Sequence, residues 1–296
     1  MAQAQTKTKH VRIEEEDESL ISALPTREGW WEPFFLLQGF WLSPSITKSV
    51  MVLRDQFHPR HNDISLATYP KCGTTWLKAL AFAITNGSDH PVTGYCHPLL
   101  SHNPHDLMPK LERPFQHLTR TLTLGRVVHL CREPKDVLCV RMVPHQEGAP
   151  RLVHRVDRAF EFFCEGFSFY GPIWEHYLGY WKQSKMEGEK GLFLNYDEMI
   201  AEPTRHVKML AEFLRVPFTD EESRGAVEEV VRLCSFQNLK SLPVNSQGVS
   251  KRNGLENSSF FRTGKVGDWT NHMTVEMAQK LDCIIEEKLR GSGLTF

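Results

Sequence analysis

The segment LATYPKCGTTWLKALAFAI (residues 66–84) constrains the fold more than any other part of the chain. The apolar and β-branched run at residues 64–69, which overlaps the start of this segment, predicts a buried strand. A turn with one glycine follows at residues 70–75, and from Trp76 onward apolar side chains recur at helical spacing. A strand, a glycine-bearing turn and a helix together form a cradle for an anion. The turn lacks the usual nucleotide fingerprint G-x-x-x-x-G-K-[ST], because its Lys71 precedes its only glycine.

Alternating strand and helix patterns predict the fold class. Two further buried strands are expected at residues 126–131 and 191–196, and each is followed by residues with helical spacing. The chain shows no internal repeat and no low-complexity linker, so we expect one domain over residues 26–296 after a flexible leader at residues 1–25. This order predicts an α/β domain with a central, mostly parallel sheet flanked by helices and a P-loop-like anion loop. Ligands bind such sheets at the carboxyl ends of the strands.

Composition excludes several classes of protein. The net charge of −1 gives no reason to expect a nucleic-acid partner. No apolar run approaches the roughly 20 residues of a membrane-spanning helix, and the acidic start of the chain is unlike a signal or transit peptide. The seven cysteines are scattered without a C-x-x-C pair, which argues against a zinc site or a disulfide framework. We therefore expect a cytoplasmic protein without a metal and without membrane attachment.

Three side chains follow the ends of the predicted strands. Lys71 follows the first strand, Arg132 follows the second, and Tyr196 ends the third. Because parallel strand ends meet at one edge, these residues can share a ligand. The backbone N–H groups of residues 73–75 would face an anion at the helix start. Taken alone, a lysine in a turn is also compatible with an ordinary solvated side chain.

Three separated motifs carry a resemblance to a known family. TYPKCGTTWLKAL, CREPKDV and FFRTGKVGDWTNHMT resemble the signature blocks of plant cytosolic sulfotransferases, closest to the flavonol-sulfotransferase-like branch. The resemblance implies a single α/β domain that moves a sulfuryl group from 3′-phosphoadenosine 5′-phosphosulfate (PAPS) to a hydroxyl of a small, aromatic or hydrophobic acceptor. It implies no metal. Flavonols, hydroxyjasmonates, steroids and phenolic acids all remain open as acceptors.

The resemblance also assigns roles to individual residues. The loop for the 5′-phosphosulfate would consist of Lys71, Cys72, Gly73, Thr74, Thr75 and Trp76; the 3′-phosphate would meet Arg132, Arg262, Thr263 and Gly264; the adenine would lie near Tyr196, Ser235 and Phe236. Lys71 would additionally neutralise the bridging oxygen as the S–O bond breaks. For Arg132 the alternative is a purely structural salt bridge to Glu133 or Asp136.

The acceptor hydroxyl needs a general base. With 14 histidines in the chain, spacing alone selects none. In the family the base lies in a Thr-His-Leu-Pro element, and RPFQHLTR occupies that place here, which points to His117. Gln116 and Thr119 replace the usual threonine and proline. His129 lies inside the second predicted strand, where we expect a core residue bonded to the backbone.

Several positions depart from the family pattern. Val140 stands where the family carries a serine, and Thr263 replaces a lysine, so the 3′-phosphate subsite loses two groups. The segment between His117 and Arg132 is shorter than in the family. The dimer motif K-x-x-x-T-V-x-x-x-E has lost both charged ends, which leaves a monomer or weak homodimer. A catalytically weak relative that only binds a small hydrophobic or phenolic ligand is therefore the main alternative, ahead of a P-loop kinase or NTPase.

The aromatic segment WWEPFFLLQGFWLSP (residues 30–44) has two interpretations. It either packs onto the core as a surface segment or forms an apolar wall for a hydrophobic substrate.

Overall fold

The computed structural model describes residues 19–56, 60, 62–108, 125–142, 156–219, 225–250 and 254–296. The strands are β1 (Thr26–Arg27), β2 (Phe34–Leu37), β3 (Phe40–Leu42), β4 (Ile64–Thr68), β5 (Arg126–Cys131) and β6 (Gly191–Asn195). The helices are α1 (Pro44–Gln56), α2 (Thr74–Thr85), α3 (Pro104–Leu107), α4 (Pro134–Met142), α5 (Val156–Cys164), α6 (Ile173–Met186), α7 (Tyr196–Ala201), α8 (Pro203–Phe213), α9 (Ala226–Leu233), α10 (Phe236–Ser241), α11 (Pro243–Ser246) and α12 (Val275–Leu289). None of these helices is long and apolar enough to span a bilayer.

The described central sheet is parallel, with the strand order β4-β5-β6. Thr68 pairs with Leu130, and Cys131 pairs with Asn195, so the three carboxyl ends lie side by side. β5 is the middle strand, and its residues after Arg126 are all buried, which explains the apolar sequence RVVHLC. This arrangement confirms the predicted α/β fold.

Helices cover both faces of the sheet. On one face α2, α8 and α9 pack against the strands around Leu77, Leu130 and Leu210. On the other face α5, α6 and α12 surround Tyr177 and Leu281. The sheet therefore lies between two apolar layers. Because both faces are covered, a polar ligand can approach the sheet only at the strand ends.

The third predicted strand ends one residue early. Tyr196, expected as its last residue, instead begins α7. The Asn195 side chain accepts a hydrogen bond from the Asp197 N–H at 2.8 Å, which caps the helix and ends the strand. Tyr196 still lies at the carboxyl edge of the sheet.

The aromatic segment supplies β2 and β3 of a small antiparallel sheet, β1-β2-β3. Phe34 is fully buried and contacts Phe167 and Phe169, with ring centroids 5.8 and 5.7 Å apart. These contacts favour the interpretation of the segment as packing. The segment borders the cavity described below indirectly, because Phe169 and Tyr170, which contact Phe34 and Trp41, line that cavity.

The predicted leader overlaps the start of the described structure. Ile21, which precedes the expected boundary at residue 25, is 7% exposed. The division into a leader at residues 1–25 and a domain at residues 26–296 stays a prediction.

Candidate active site

The anion loop adopts two left-handed backbone conformations between β4 and α2. Lys71 has φ +76° and Gly73 has φ +98°. A Cβ atom on residue 73 would lie 2.8 Å from the Tyr196 ring, so only glycine fits there. The structure gives Gly73, the N-cap of α2, no side-chain cap bond. The start of α2 is therefore arranged like an anion site, with first-turn N–H groups uncapped by a side chain.

A cavity of about 740 Å³ lies at the carboxyl edge of the sheet. The residues predicted to hold the donor meet there: Lys71, Gly73, Thr74, Thr75, Trp76, Arg132, Tyr196, Ser235, Phe236, Arg262, Thr263 and Gly264 all line it. These residues come from three strand ends and from two segments after residue 230, and the fold brings them into one space. Val140, the substituted serine position, also lines the cavity.

Cys72 is the predicted donor residue that the described cavity lining omits. Its side chain is fully buried, and its Sγ lies 3.1 Å from the Tyr177 hydroxyl. Its backbone N–H donates to the Tyr69 carbonyl at 3.1 Å. The Cys72 side chain therefore points into the core, where it fixes the loop, and does not line the described cavity.

Arg132 is held by a buried carboxylate. Its Nη2 donates to Asp136 Oδ2 at 3.1 Å and to the Lys265 carbonyl at 2.6 Å, and its guanidinium lies 4.6 Å from the Tyr196 ring centroid. Asp136 is 0% exposed and also accepts hydrogen bonds from the N–H groups of Gly267 and Trp269, each at 2.9 Å. The structural salt bridge to Asp136 is thus present, and the same arginine lines the cavity.

Arg262 repeats this arrangement on the C-terminal loop. Its Nη2 donates to Asp268 Oδ2 at 2.7 Å, and Thr263 Oγ1 donates to the same oxygen at 3.4 Å. The Nε atoms of Arg132 and Arg262 are both buried without a hydrogen-bond partner. Two buried donors left unsatisfied beside one cavity are the feature expected where an anionic ligand supplies the missing acceptors.

Aromatic side chains form part of the cavity wall. Trp76 and Tyr196 meet edge to face at 5.4 Å, and the Tyr196 hydroxyl donates to the Gly264 carbonyl at 3.4 Å. A Cβ atom at Gly264 would lie 2.5 Å from the Phe236 ring. Ser235 uses its hydroxyl to cap α10, accepting from the Asn238 N–H at 3.2 Å. Flat aromatic faces next to two arginines suit a base attached to a phosphorylated sugar.

Burial keeps the tyrosine in its neutral form. It raises the pKa of Tyr196 despite the opposing charge of Arg132. Burial also raises the pKa of the adjacent Asp197 to about 6. Asp136 and Asp268 are the carboxylates that directly contact Arg132 and Arg262.

His117, the predicted general base, lies outside the described residues. Two other histidines line the cavity, and the sequence reasoning missed both: His105 and His176. His105 Nε2 lies 2.9 Å from Thr75 Oγ1, and its ring lies 4.3 Å from that of Phe260. No motif pointed to His105, because its contact with the loop is made across the fold.

His129 and His176 form a buried pair, and one contact of this pair differs from the expectation for His129. His129 is buried as expected, but its Nε2 lies 3.3 Å from His176 Nδ1, so its partner is a side chain and not the backbone. Burial lowers the pKa of His176 to about 3, and burial next to His176 lowers the pKa of His129 well below its ordinary value. Both rings are therefore neutral at physiological pH.

Among the described residues, no group of three or more His, Cys, Asp or Glu side chains is placed to hold a metal ion. Lys71, Arg132 and Arg262 are cationic side chains that line the cavity.

Comparison with known proteins gives the family. Residues 61–293 match the family model described as a sulfotransferase domain. Cytosolic sulfotransferase 6 of Arabidopsis thaliana is 40% identical over 315 residues, which cover 96% of this chain and 96% of that protein. The crystal structure of a putative Arabidopsis thaliana steroid sulphotransferase has a TM-score of 0.69 at 32% identity and covers 94% of each chain.

A more distant structure shares the fold. Retinol dehydratase in complex with androsterone and the inactive cofactor PAP has a TM-score of 0.64 at 18% identity, covering 95% of this chain and 96% of that one. The names of the Arabidopsis relatives as cytosolic proteins confirm the expected cytoplasmic location. The family match spans most of the sequence, and the identity to relatives extends over nearly its full length; the chain therefore belongs to the plant cytosolic sulfotransferase family, as its motifs predicted.

Proposed function

We propose that this sulfotransferase takes its sulfuryl group from PAPS and transfers it to a hydroxyl of a small aromatic or hydrophobic acceptor, with His117 as the general base. The observation that carries the proposal is the pair of buried Nε atoms, on Arg132 and Arg262, that lack acceptors beside an uncapped helix start. A donor with phosphate groups at both ends of an adenosine fits one anion at α2 and another at the arginines. The retinol dehydratase structure, which shares the fold, contains the inactive cofactor PAP, which is consistent with a donor of this class.

The chain's residues divide the work along the cavity. When bound, PAPS supplies the sulfuryl group, attached to the 5′-phosphate through an oxygen that leaves with the phosphate. Lys71 and the N–H groups of residues 73–75 neutralise the charge that develops on that oxygen as its bond to sulfur breaks. Arg132 and Arg262 hold the 3′-phosphate, and Tyr196 with Phe236 lies along the adenine.

The acceptor proton needs a separate group. His117 takes the proton that the acceptor hydroxyl loses as its oxygen bonds to sulfur. Phe169 and Tyr170 line the described cavity on the side of the aromatic cluster and offer an apolar surface for the acceptor. A catalytically weak relative, which binds a small ligand without efficient transfer, is the second candidate; the aliphatic Val140 in the cavity wall favours it.

Replacement of the base tests the proposal. We expect His117→Ala to lower kcat about 100-fold or more, because proton removal accompanies attack on sulfur, while PAP affinity stays nearly unchanged. His102→Ala serves as the control, since His102 is an exposed histidine of the same region. Its kcat should stay within about twofold of wild type, because the exposed His102 side chain is not part of the described cavity lining and so loses no transition-state contact. A His117→Ala variant that keeps more than about a third of wild-type turnover would remove His117 from the mechanism.

A further inference from the structure

One buried hydroxyl touches both halves of the proposed donor site. Tyr177 lies on α6, is 0% exposed, and reaches the strand ends from the face of the sheet opposite α2. Its hydroxyl donates to the Arg132 carbonyl at 2.8 Å and accepts from the Arg132 N–H at 3.2 Å. The same oxygen lies 3.1 Å from Cys72 Sγ.

The direction of these bonds follows from counting protons. A phenol has one proton, and the Arg132 carbonyl receives it, so the Cys72 thiol is the donor in the third contact. Burial, reinforced by the thiols of Cys72 and Cys131, raises the pKa of Tyr177 well above its ordinary value, so the phenol keeps that proton. All three contacts can therefore exist at once.

The two contacted segments bind opposite ends of the donor in the proposed function. Cys72 lies between Lys71 and Gly73 in the loop assigned to the 5′-phosphosulfate, whereas Arg132 is assigned to the 3′-phosphate. The Cys72 N–H also bonds the Tyr69 carbonyl, so the thiol and the loop backbone are fixed together. Beyond the pairing of β4 with β5, a single oxygen thus links the two segments that follow these strands.

The surroundings of Tyr177 hold its ring in place. The rings of Tyr69, His129 and His176 lie 6.4, 5.9 and 6.4 Å away, and the Phe296 ring lies 5.3 Å away. A ring packed on several sides loses little further freedom when its hydroxyl makes fixed bonds. Because the ring is held in place, the Tyr177 hydroxyl can fix the positions of Cys72 and Arg132 relative to each other.

We infer that Tyr177 is a positioning residue of the donor site: its hydroxyl aligns the Cys72 loop with Arg132, so that a ligand with phosphates at both ends meets both subsites at once. This inference rests on the proposed function. A ligand that occupies two prealigned subsites gains the effective concentration of the second contact, and misalignment removes that gain. A ligand that occupies one subsite does not depend on the alignment.

The two kinds of ligand give the test. We expect Tyr177→Phe, which removes one oxygen, to weaken the binding of adenosine 3′,5′-bisphosphate about tenfold in calorimetry, the scale of one well-placed hydrogen bond. Binding of adenosine 5′-monophosphate, which lacks the 3′-phosphate, should change less than about threefold. The control is Tyr180→Phe, a buried tyrosine one turn further along α6, which should leave the ratio of the two affinities unchanged.

The outcomes distinguish a failure of the proposed donor site from a failure of the inference about Tyr177. If wild type binds neither ligand, the proposed donor site itself is wrong, and the inference falls with it. If wild type binds both and Tyr177→Phe weakens them equally, or weakens neither, the inference alone is overturned. If Tyr177→Phe does not fold, Cys72→Ala takes its place: it removes the loop side of the contact and should lower the same affinity ratio in the same direction, and an unchanged ratio would overturn the inference.

Discussion

Replacement of Asp136 by Asn tests the electrostatic core of the site. Asp136 is 0% exposed and accepts hydrogen bonds from Arg132 Nη2 and from the N–H groups of Gly267 and Trp269. Asparagine has nearly the same shape but only one acceptor oxygen, and its NH₂ group would face an N–H donor. The change therefore removes hydrogen bonds as well as the charge.

The structure sets the expected magnitude. The Arg132 side chain is only 6% exposed, so it would remain as a buried cation without its carboxylate. Removing one partner of a buried ion pair costs about 3–5 kcal/mol, since the other charge stays desolvated. We expect the free energy of unfolding of Asp136→Asn to fall by about that amount, a large part of the roughly 5–15 kcal/mol of a typical protein.

Urea unfolding at neutral pH measures this difference. The matched control is Glu161→Gln, which removes a carboxylate that pairs with Lys280 on the surface, where the two side chains are 53% and 48% exposed. Surface pairs contribute about 0–1 kcal/mol, so this control should change little. A loss below about 1 kcal/mol for Asp136→Asn, or equal losses in the two variants, would refute the reasoning.

Three further variants or measurements follow from the cavity. Lys71→Met should lower kcat more than donor affinity, because the charge acts mainly in the transition state; an unchanged kcat with a raised donor KM would show a binding role alone. Val140→Ser combined with Thr263→Lys should tighten binding of adenosine 3′,5′-bisphosphate by about 1–3 kcal/mol in calorimetry and leave adenosine 5′-monophosphate unaffected, while equal affinity for the bisphosphate in variant and wild type would contradict this account of the subsite. A thiol reagent should label Cys96 and Cys283 first in the native protein, since these are the exposed cysteines, and equally rapid labelling of the other five would contradict their placement.

The site was predictable from sequence wherever local chemistry decides the structure. Strand, glycine turn and helix are specified by neighbouring residues, so the loop around Gly73 and the strand that ends before Arg132 were foreseen. The alternation of these units predicted the parallel sheet, and its strand ends brought Lys71, Arg132 and Tyr196 to one cavity.

The remaining features depend on contacts between distant parts of the chain. No local sequence pattern connects the elements that these contacts join. They are the hydrogen bond between Thr75 and His105 and the contacts of the Tyr177 hydroxyl with Cys72 and Arg132. The sequence showed Asp136 only as a competing partner for Arg132. Its bonds to Gly267 and Trp269, which fasten the C-terminal loop over the site, appear only in the folded chain.

Transfer of labelled sulfur from PAPS tests the central claim most directly. The protein is incubated with sulfur-labelled PAPS and a panel of acceptors comprising a simple phenol, a flavonol, a steroid and a hydroxyjasmonate, with Lys71→Met as the matched control. We expect label on the hydroxyl of at least one acceptor with wild type, and far less with the variant. Tight binding of adenosine 3′,5′-bisphosphate without label on any acceptor would contradict the account and identify the chain as a catalytically weak relative.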